Sequence, residues 1–171
     1  MFLELERRCF PFSVGNAEFY LRFDNKALLE TEKSGYDIFD FNAERLTAKA
    51  AKCFLTCGLR CYAEESRCED IEDHAAELAD RIIRAVSPKD ISAVIAGAVL
   101  AAMPEPIIGA KSGKNEKADF TRIFCYFCDI MGKPEELFWD LTLREVFQRW
   151  DAYAVFHGYK EAPLEVKRYD D

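Results

Sequence analysis

The chain has 171 residues, of which 50% are hydrophobic and 32% charged, a composition that excludes disordered, collagen-like and coiled-coil proteins. It carries 23 Lys and Arg against 31 Asp and Glu, and the resulting net charge of −8 argues against nucleic acid as a partner, because phosphates would repel it. Its longest apolar run, residues 93–103, is shorter than the roughly 20 residues that cross a membrane, so no membrane partner is predicted.

The first residues, MFLELERRCF, lack the order of basic, apolar and small residues that marks a secretory signal. We therefore expect a soluble, cytoplasmic protein. In that compartment its seven cysteines are expected to be reduced thiols.

The N-terminal part predicts a small β-hairpin followed by a short helix. Residues 17–23 alternate between apolar and polar side chains, which is the period of a half-buried strand, and residues 9–14 can pair with them across a Gly15-Asn16 turn. Asp24 or Asn25 can cap a helix over residues 26–33, which Gly35 ends.

Three longer helices are predicted next. Apolar residues recur at three- and four-residue steps over residues 43–62, with Asn42 as the cap, and again over residues 69–86. The third helix covers residues 88–102, because Ser87 can cap it, Pro88 suits its first position, and Pro104 follows its end.

Residues 104–118, PEPIIGAKSGKNEKA, combine Pro, Gly, Ser and charge without an apolar period, so they are predicted to be a linker. The predicted organisation is an N-terminal domain over residues 1–103, this linker, a C-terminal helical unit over residues 119–159 and a charged tail over residues 160–171.

Helical patterns return in this C-terminal unit. The first covers residues 119–131 and is closed by Gly132, and a short helical turn begins at Pro134. Thr142 and Glu145 have the spacing of a capping box, which opens a last long helix that ends at Gly158. The predicted fold class is therefore mainly α with a small N-terminal β-hairpin, consisting of a bundle-like helical unit and aromatic-rich C-terminal helices.

The cysteines offer the clearest candidates for chemistry. One helix face would present three thiols, and a CxxC pair lies in the C-terminal unit. Their helical, apolar setting favours small buried side chains, because zinc ribbons place CxxC in a turn around the metal. No catalytic residue, metal or other cofactor is therefore predicted, and a zinc site or thiol chemistry stays an alternative for Cys53, Cys57, Cys61, Cys125 and Cys128.

Two stretches of the sequence resemble one protein family. Residues 19–82, beginning FYLRFDNKALLE, are similar to the N-terminal domain of bacteriophage and gene-transfer-agent tail assembly chaperones, and LFWDLTLREVFQRWDAY resembles a later segment of the same proteins. Leu143 stands where that family often has Pro. The matching positions are Arg22, Phe23, Asn25, Ala27, Leu28, Leu29, Glu30, Gly35, Gly58 and Leu59, and then Phe138, Trp139, Leu141, Thr142 and Glu145.

The resemblance implies a protein without enzymatic activity or cofactor that acts in the cytoplasm of a bacterial host. Its partner would be the long, helical tape-measure protein or another tail protein, which it keeps soluble while the tail tube assembles. The resemblance leaves open whether the chaperone forms homo-oligomers.

An aromatic face that binds amphipathic helices would suit this role. The alternative for the same residues is that they only pack the C-terminal helices together. Other functions also stay open: a structural or connector component of the phage, another protein-binding adaptor, or a thiol- or zinc-dependent enzyme. The candidate partner-binding residues are Phe138, Trp139, Phe147, Trp150 and Tyr153.

Overall fold

The structure is a computed structural model, and it describes residues 9–38, 41–67, 69–104 and 120–160. It is mostly helical with one two-stranded antiparallel sheet near the N-terminus, which confirms the predicted fold class. No helix among these residues is both long enough and apolar enough to span a membrane. Apart from residues 104 and 160, the segments predicted as linker and tail lie outside the described residues, so the predicted domain boundaries stay a prediction.

The hairpin consists of β1 (Phe10–Val14) and β2 (Ala17–Leu21), joined by a two-residue turn in which Gly15 has a φ of 61°. Phe12 lies opposite Phe19 in the sheet register, and their rings stack with centroids 5.7 Å apart. The hairpin therefore follows the predicted alternation, and its apolar side chains, such as Phe19 and Leu21, are buried against the helices.

The helix α1 (Asn25–Lys33) follows, and the carboxylate of Asp24 caps it by accepting a hydrogen bond from the amide of Ala27 at 2.8 Å. Gly35, with a φ of 83°, lies just past its end, as the sequence predicts.

The long helix predicted over residues 43–62 is wrong, because the chain breaks twice there. Asn42 caps only a short 3₁₀ turn (Ala43–Arg45), and Thr47 caps α2 (Ala48–Gly58) by accepting from the amide of Ala50 at 3.2 Å. A second break at Leu59 separates α2 from α3 (Arg60–Glu65). Both α2 and α3 have apolar residues at helical spacing, so the sequence pattern alone predicts one continuous helix.

The next two helices agree closely with prediction. Asp70 caps α4 (Ile71–Ala85), and Ser87 caps α5 (Pro88–Ala102). The main core forms where α2 packs on α4 and α5, while α5 also contacts β1. The buried side chains at its centre include Leu21, Phe23, Leu55, Leu59, Ala63, Ala75, Ala79 and Ile95.

The C-terminal helices are α6 (Phe120–Cys125), α7 (Glu135–Asp140) and α8 (Leu143–Phe156). The predicted helix over residues 119–131 is confirmed only in part, because a π-helical turn (Tyr126–Ile130) replaces its last α-helical turn. The capping box of α8 is present in both directions, with Thr142 and Glu145 bonding each other's backbone amides.

A second apolar cluster holds these C-terminal helices together. Leu143 at the start of α8 belongs instead to the main core, and Phe120 and Ile123 pack against both clusters. The C-terminal helices therefore have their own core and also contact the N-terminal part. The buried members of the second cluster are Phe127, Met131, Phe138, Leu141 and Val146.

Candidate functional site

An apolar groove lies between α8 and the segment formed by α6 and the π-helical turn. Its cavity volume is about 340 Å³. Three of its side chains, Phe127, Met131 and Val146, are buried members of the second cluster, whereas Phe147 is 38% exposed and lies at the groove's outer edge. We call this feature the aromatic groove, and it is lined by Arg122, Ile123, Tyr126, Phe127, Met131, Val146, Phe147 and Trp150.

Local structure explains how the groove forms. In the π-helical turn, the amide of Met131 donates to the carbonyl of Tyr126 at 3.1 Å. This bond spans five residues, whereas an α-helical hydrogen bond spans four. The hydroxyl of Tyr153 on α8 donates to the carbonyl of Ile130 at 3.2 Å, which ties the turn to α8. The capping box at Thr142 fixes where α8 begins.

The structure brings together three of the five predicted partner-binding residues. Phe147 and Trp150 line the groove, and the ring of Tyr153 stacks on that of Trp150 with centroids 5.8 Å apart. Tyr126, which the sequence analysis did not select, lies against Trp150 with centroids 5.3 Å apart. Its spacing to the α8 aromatics gave no signal because the contact crosses between two helices.

The other two predicted residues do not line the groove. Phe138 has no exposed surface and packs edge-on against Phe124 with centroids 5.2 Å apart, so it supports the C-terminal core and does not present a surface to a partner. Trp139 also packs against Phe124, at 5.9 Å, and its indole N–H donates to the carboxylate of Glu135 at 3.2 Å. Phe138 and Trp139 therefore have packing roles in the C-terminal helices.

A buried polar cluster joins the N-terminal part to the start of α8. The guanidinium of Arg22 lies 2.9 Å from the carboxylate of Glu145, and the two side chains are only 4% and 3% exposed. Arg22 also donates to the carbonyl of Asp140 at 2.8 Å. Glu145 accepts further hydrogen bonds from the amide of Thr142 at 2.7 Å and from its hydroxyl at 3.0 Å.

Asn25 extends this cluster. Its side-chain amide donates to the carbonyl of Phe138 at 2.8 Å, and its backbone amide donates to the carbonyl of Leu141 at 2.8 Å. We call the contacts of Arg22 and Asn25 with residues 138–145 the polar clasp. The clasp joins residues 22–25, at the start of α1, to residues 138–145, which include the start of α8.

The five thiols that were considered for metal binding do not come together. Cys61 donates from its thiol to the carboxylate of Asp24 at 3.3 Å, while Cys125 is exposed on the C-terminal helices. Across the part of the chain that the structure describes, no three His, Cys, Asp or Glu side chains could hold a metal ion. A hydrogen bond between Cys53 and Cys57 lowers the pKa of Cys53, and the same bond together with burial raises the pKa of Cys57.

Asp24 links helix capping to pH. It is 8% exposed, and burial raises the pKa of its carboxyl above the ordinary value although the bonds from Ala27 and Cys61 and the charge of Arg22 oppose this rise. The folded state therefore binds the proton more tightly than the unfolded state does. The protonated carboxyl of Asp24 therefore contributes to the stability of the folded state at low pH. This contribution is lost as the pH rises through the ordinary pKa and then the raised pKa.

We expect Asp24→Asn to raise stability relative to the wild type at pH 7 and to lose this advantage near pH 3. Asn caps helices as well as Asp does, so the change removes the buried charge and keeps the cap. Urea unfolding at both pH values measures the difference. Asp70→Asn is the matched control, because Asp70 caps α4 in the same way from an exposed position. An equal effect of Asp24→Asn at both pH values would contradict the expectation.

Comparisons with known proteins give no relative for this chain. No protein-family model, no curated protein and no solved structure matches it.

Proposed function

We propose that this protein is a phage or prophage tail assembly chaperone that binds the tape-measure protein and keeps it soluble in the host cytoplasm. The role needs a binding surface and no catalytic step. Two things support the proposal: the resemblance in two stretches of the sequence, and an aromatic groove that suits a helical partner.

The observation that carries the proposal is the aromatic groove. Its walls combine Tyr126 and Trp150 with the partly exposed ring of Phe147. Concave, mainly apolar sites with aromatic lining are typical of binding sites, and large aromatics supply much of the energy of protein interfaces. An amphipathic helix placed on such a groove buries its apolar stripe, which is how helix-in-groove recognition works. A tape-measure protein, as a long helical protein, would offer such stripes repeatedly.

The polar clasp supports the same proposal in a different way. Arg22, Asn25 and Glu145 all belong to the stretches that resemble the family, and they contact each other's segments in the fold. Their role is to hold α8 on the N-terminal part. The resemblance thus covers the residues that position the groove-bearing helix.

Co-expression with the longest helical open reading frame from the same gene neighbourhood tests the proposal. We expect that partner to stay soluble and to co-elute with the wild-type protein. Replacing both Phe147 and Trp150 by Ala should weaken binding by at least about 30-fold, which is the loss expected if only one of the two is a hot spot of about 2 kcal/mol.

Trp139→Ala is the matched control for this experiment, because Trp139 is a partly buried tryptophan of the same unit that does not line the groove. Thermal unfolding of each variant shows whether the fold is intact. A partner that stays insoluble with the wild-type protein would contradict the proposal, and closed rings of the protein alone would favour a connector component instead.

A further inference from the structure

We propose that the segment after α8, residues 161–166, returns along this helix and occupies the aromatic groove of its own chain, so that a partner must displace it. The segment lies outside the described residues. The inference rests on the proposed function in that it names what controls access to the same groove. It is carried by the geometry at the end of α8, by the length of chain needed and by the apolar pattern of the segment.

The end of α8 turns the chain away from the helix axis. Gly158 has a φ of 73°, and its amide donates to the carbonyl of Val155 at 3.1 Å. The amide of Tyr159 donates to the carbonyl of Ala154 at 2.8 Å. These two bonds form a Schellman motif, which ends a helix with one residue in the left-handed region. The chain therefore does not continue along the axis beyond Gly158.

Lys160 shows which way the chain leaves this turn. Its amide also donates to the carbonyl of Ala154, at 3.2 Å. Its Nζ lies 2.9 Å from the carboxylate of Asp151, nine residues earlier in the chain. Residue 160 therefore lies beside the last turns of α8 and not beyond them. Both side chains of this ion pair are more than half exposed, so it marks a position and adds little stability.

The length of the segment matches the distance to the groove. Phe147 precedes His157, the C-cap of α8, by ten residues, which is about 15 Å at 1.5 Å per residue. An extended chain rises about 3.3 Å per residue, so the fourth and sixth residues after Lys160 would lie about 13 and 20 Å back along the helix. These residues are Leu164 and Val166. They bracket the level of Phe147, at the outer edge of the groove.

The sequence of the segment, EAPLEV, suits an apolar groove when the chain is extended. Pro163 disfavours helical backbone at the residue before it, which favours an extended path. Side chains two positions apart then share one side of the chain, so Ala162, Leu164 and Val166 lie together and the two glutamates lie opposite. The apolar side can pack on the groove lining while the acidic side stays in water.

Covalent attachment makes a weak contact sufficient. The segment follows α8 directly, and a short tether gives an effective concentration in the millimolar range. A segment with only millimolar affinity would therefore occupy the groove about half of the time. Phe147, which is 38% exposed, would be covered in that state. A partner binds only the open state, so its apparent affinity falls about 2-fold.

Acrylamide quenching of Trp150 tests the inference in the chain of 171 residues. Trp139→Phe removes the other tryptophan of the sequence, so the indole of the groove is the reporter. Replacing both Leu164 and Val166 by Ser should raise the quenching constant about 2-fold, because the groove is no longer covered for half of the time. Tyr169→Ser is the matched control, since it removes an apolar ring too far along the tail to reach the groove.

Gly158→Ala tests the turn itself. An added Cβ would meet no neighbouring atom of the described residues within 4 Å, so the change acts through the backbone, where a φ of 73° is strained for alanine. It should raise the quenching of Trp150 while far-UV circular dichroism shows the helices intact. Gly35→Ala is the matched control, because Gly35 follows α1 with a φ of 83° and equally open surroundings.

The variant with both serines should also bind the co-expressed partner about 2-fold tighter. Three results would overturn the inference: an unchanged quenching constant in this variant, an equal rise caused by Tyr169→Ser, or shielding of Trp150 that increases with protein concentration, which would place a second copy in the groove.

The quenching measurement needs no tape-measure protein, so the two proposals can fail separately. Shielding by the segment without retention of the native partner would contradict the proposed function alone. Retention of the partner with unchanged quenching in the serine variant would contradict this inference alone.

Discussion

Replacing Arg22 by Met is expected to lower the free energy of unfolding by about 3–5 kcal/mol, the usual cost of leaving one charge of a buried ion pair without its partner. The carboxylate of Glu145 would stay 3% exposed and keep only its bonds from Thr142. The carbonyl of Asp140 would also lose the hydrogen bond that it accepts from Arg22. Urea unfolding at pH 7 measures the effect.

A double-mutant cycle separates the ion pair from the other contacts of these side chains. Glu145→Gln removes the partner charge and can still accept a hydrogen bond in the capping box. The double variant of Arg22→Met and Glu145→Gln should be less destabilised than the sum of the two single changes by about 1 kcal/mol or more, because it leaves neither charge unpaired. Additive effects would show that the two charges do not act as a pair.

The same experiment reports on the link between the two parts of the chain. Both tryptophans, Trp139 and Trp150, lie in the C-terminal helices, so their fluorescence follows that part, whereas far-UV circular dichroism follows all helices. If the polar clasp makes the protein unfold as one unit, the two signals should coincide in the wild type. They should separate once Arg22 is replaced.

Local features of this fold could be predicted from the sequence because local physics determines them. The cap residues Asp24, Ser87 and Thr142 each bond an amide within three positions, so a short window contains both partners. The hairpin follows for the same reason, since its turn and alternation lie within twelve residues of each other. Such elements carry their own signal.

Features that depend on distant partners could not be predicted. Arg22 and Glu145 are 123 positions apart, and Glu145 is already explained locally by its capping box.

The break before α2 depends on whether Asn42 or Thr47 takes the cap, and both are good caps. In the candidate site, the apolar spacing predicted the helix α8 but could not tell the buried Phe138 from the exposed Phe147, because both belong to apolar periods.

Phe138→Ala is expected to lower the free energy of unfolding by about 3–5 kcal/mol, which is typical for removing a fully buried aromatic ring. Phe138 has no exposed surface, and its ring contacts Phe124, Phe127 and Trp139 with centroids between 5.1 and 5.7 Å apart. We also expect this variant to lose partner binding, since Phe127 lines the aromatic groove and rests on Phe138.

Phe138→Leu distinguishes support of the groove from direct contact with a partner. Leu keeps most of the buried volume, so the cost to stability should be smaller than that of Ala, and binding should be largely retained because Phe127 keeps a supporting side chain. Binding and unfolding are measured on the same samples. A folded Phe138→Leu variant that loses binding would instead mean that the phenyl ring itself contacts the partner, which would require the C-terminal core to open when the partner binds.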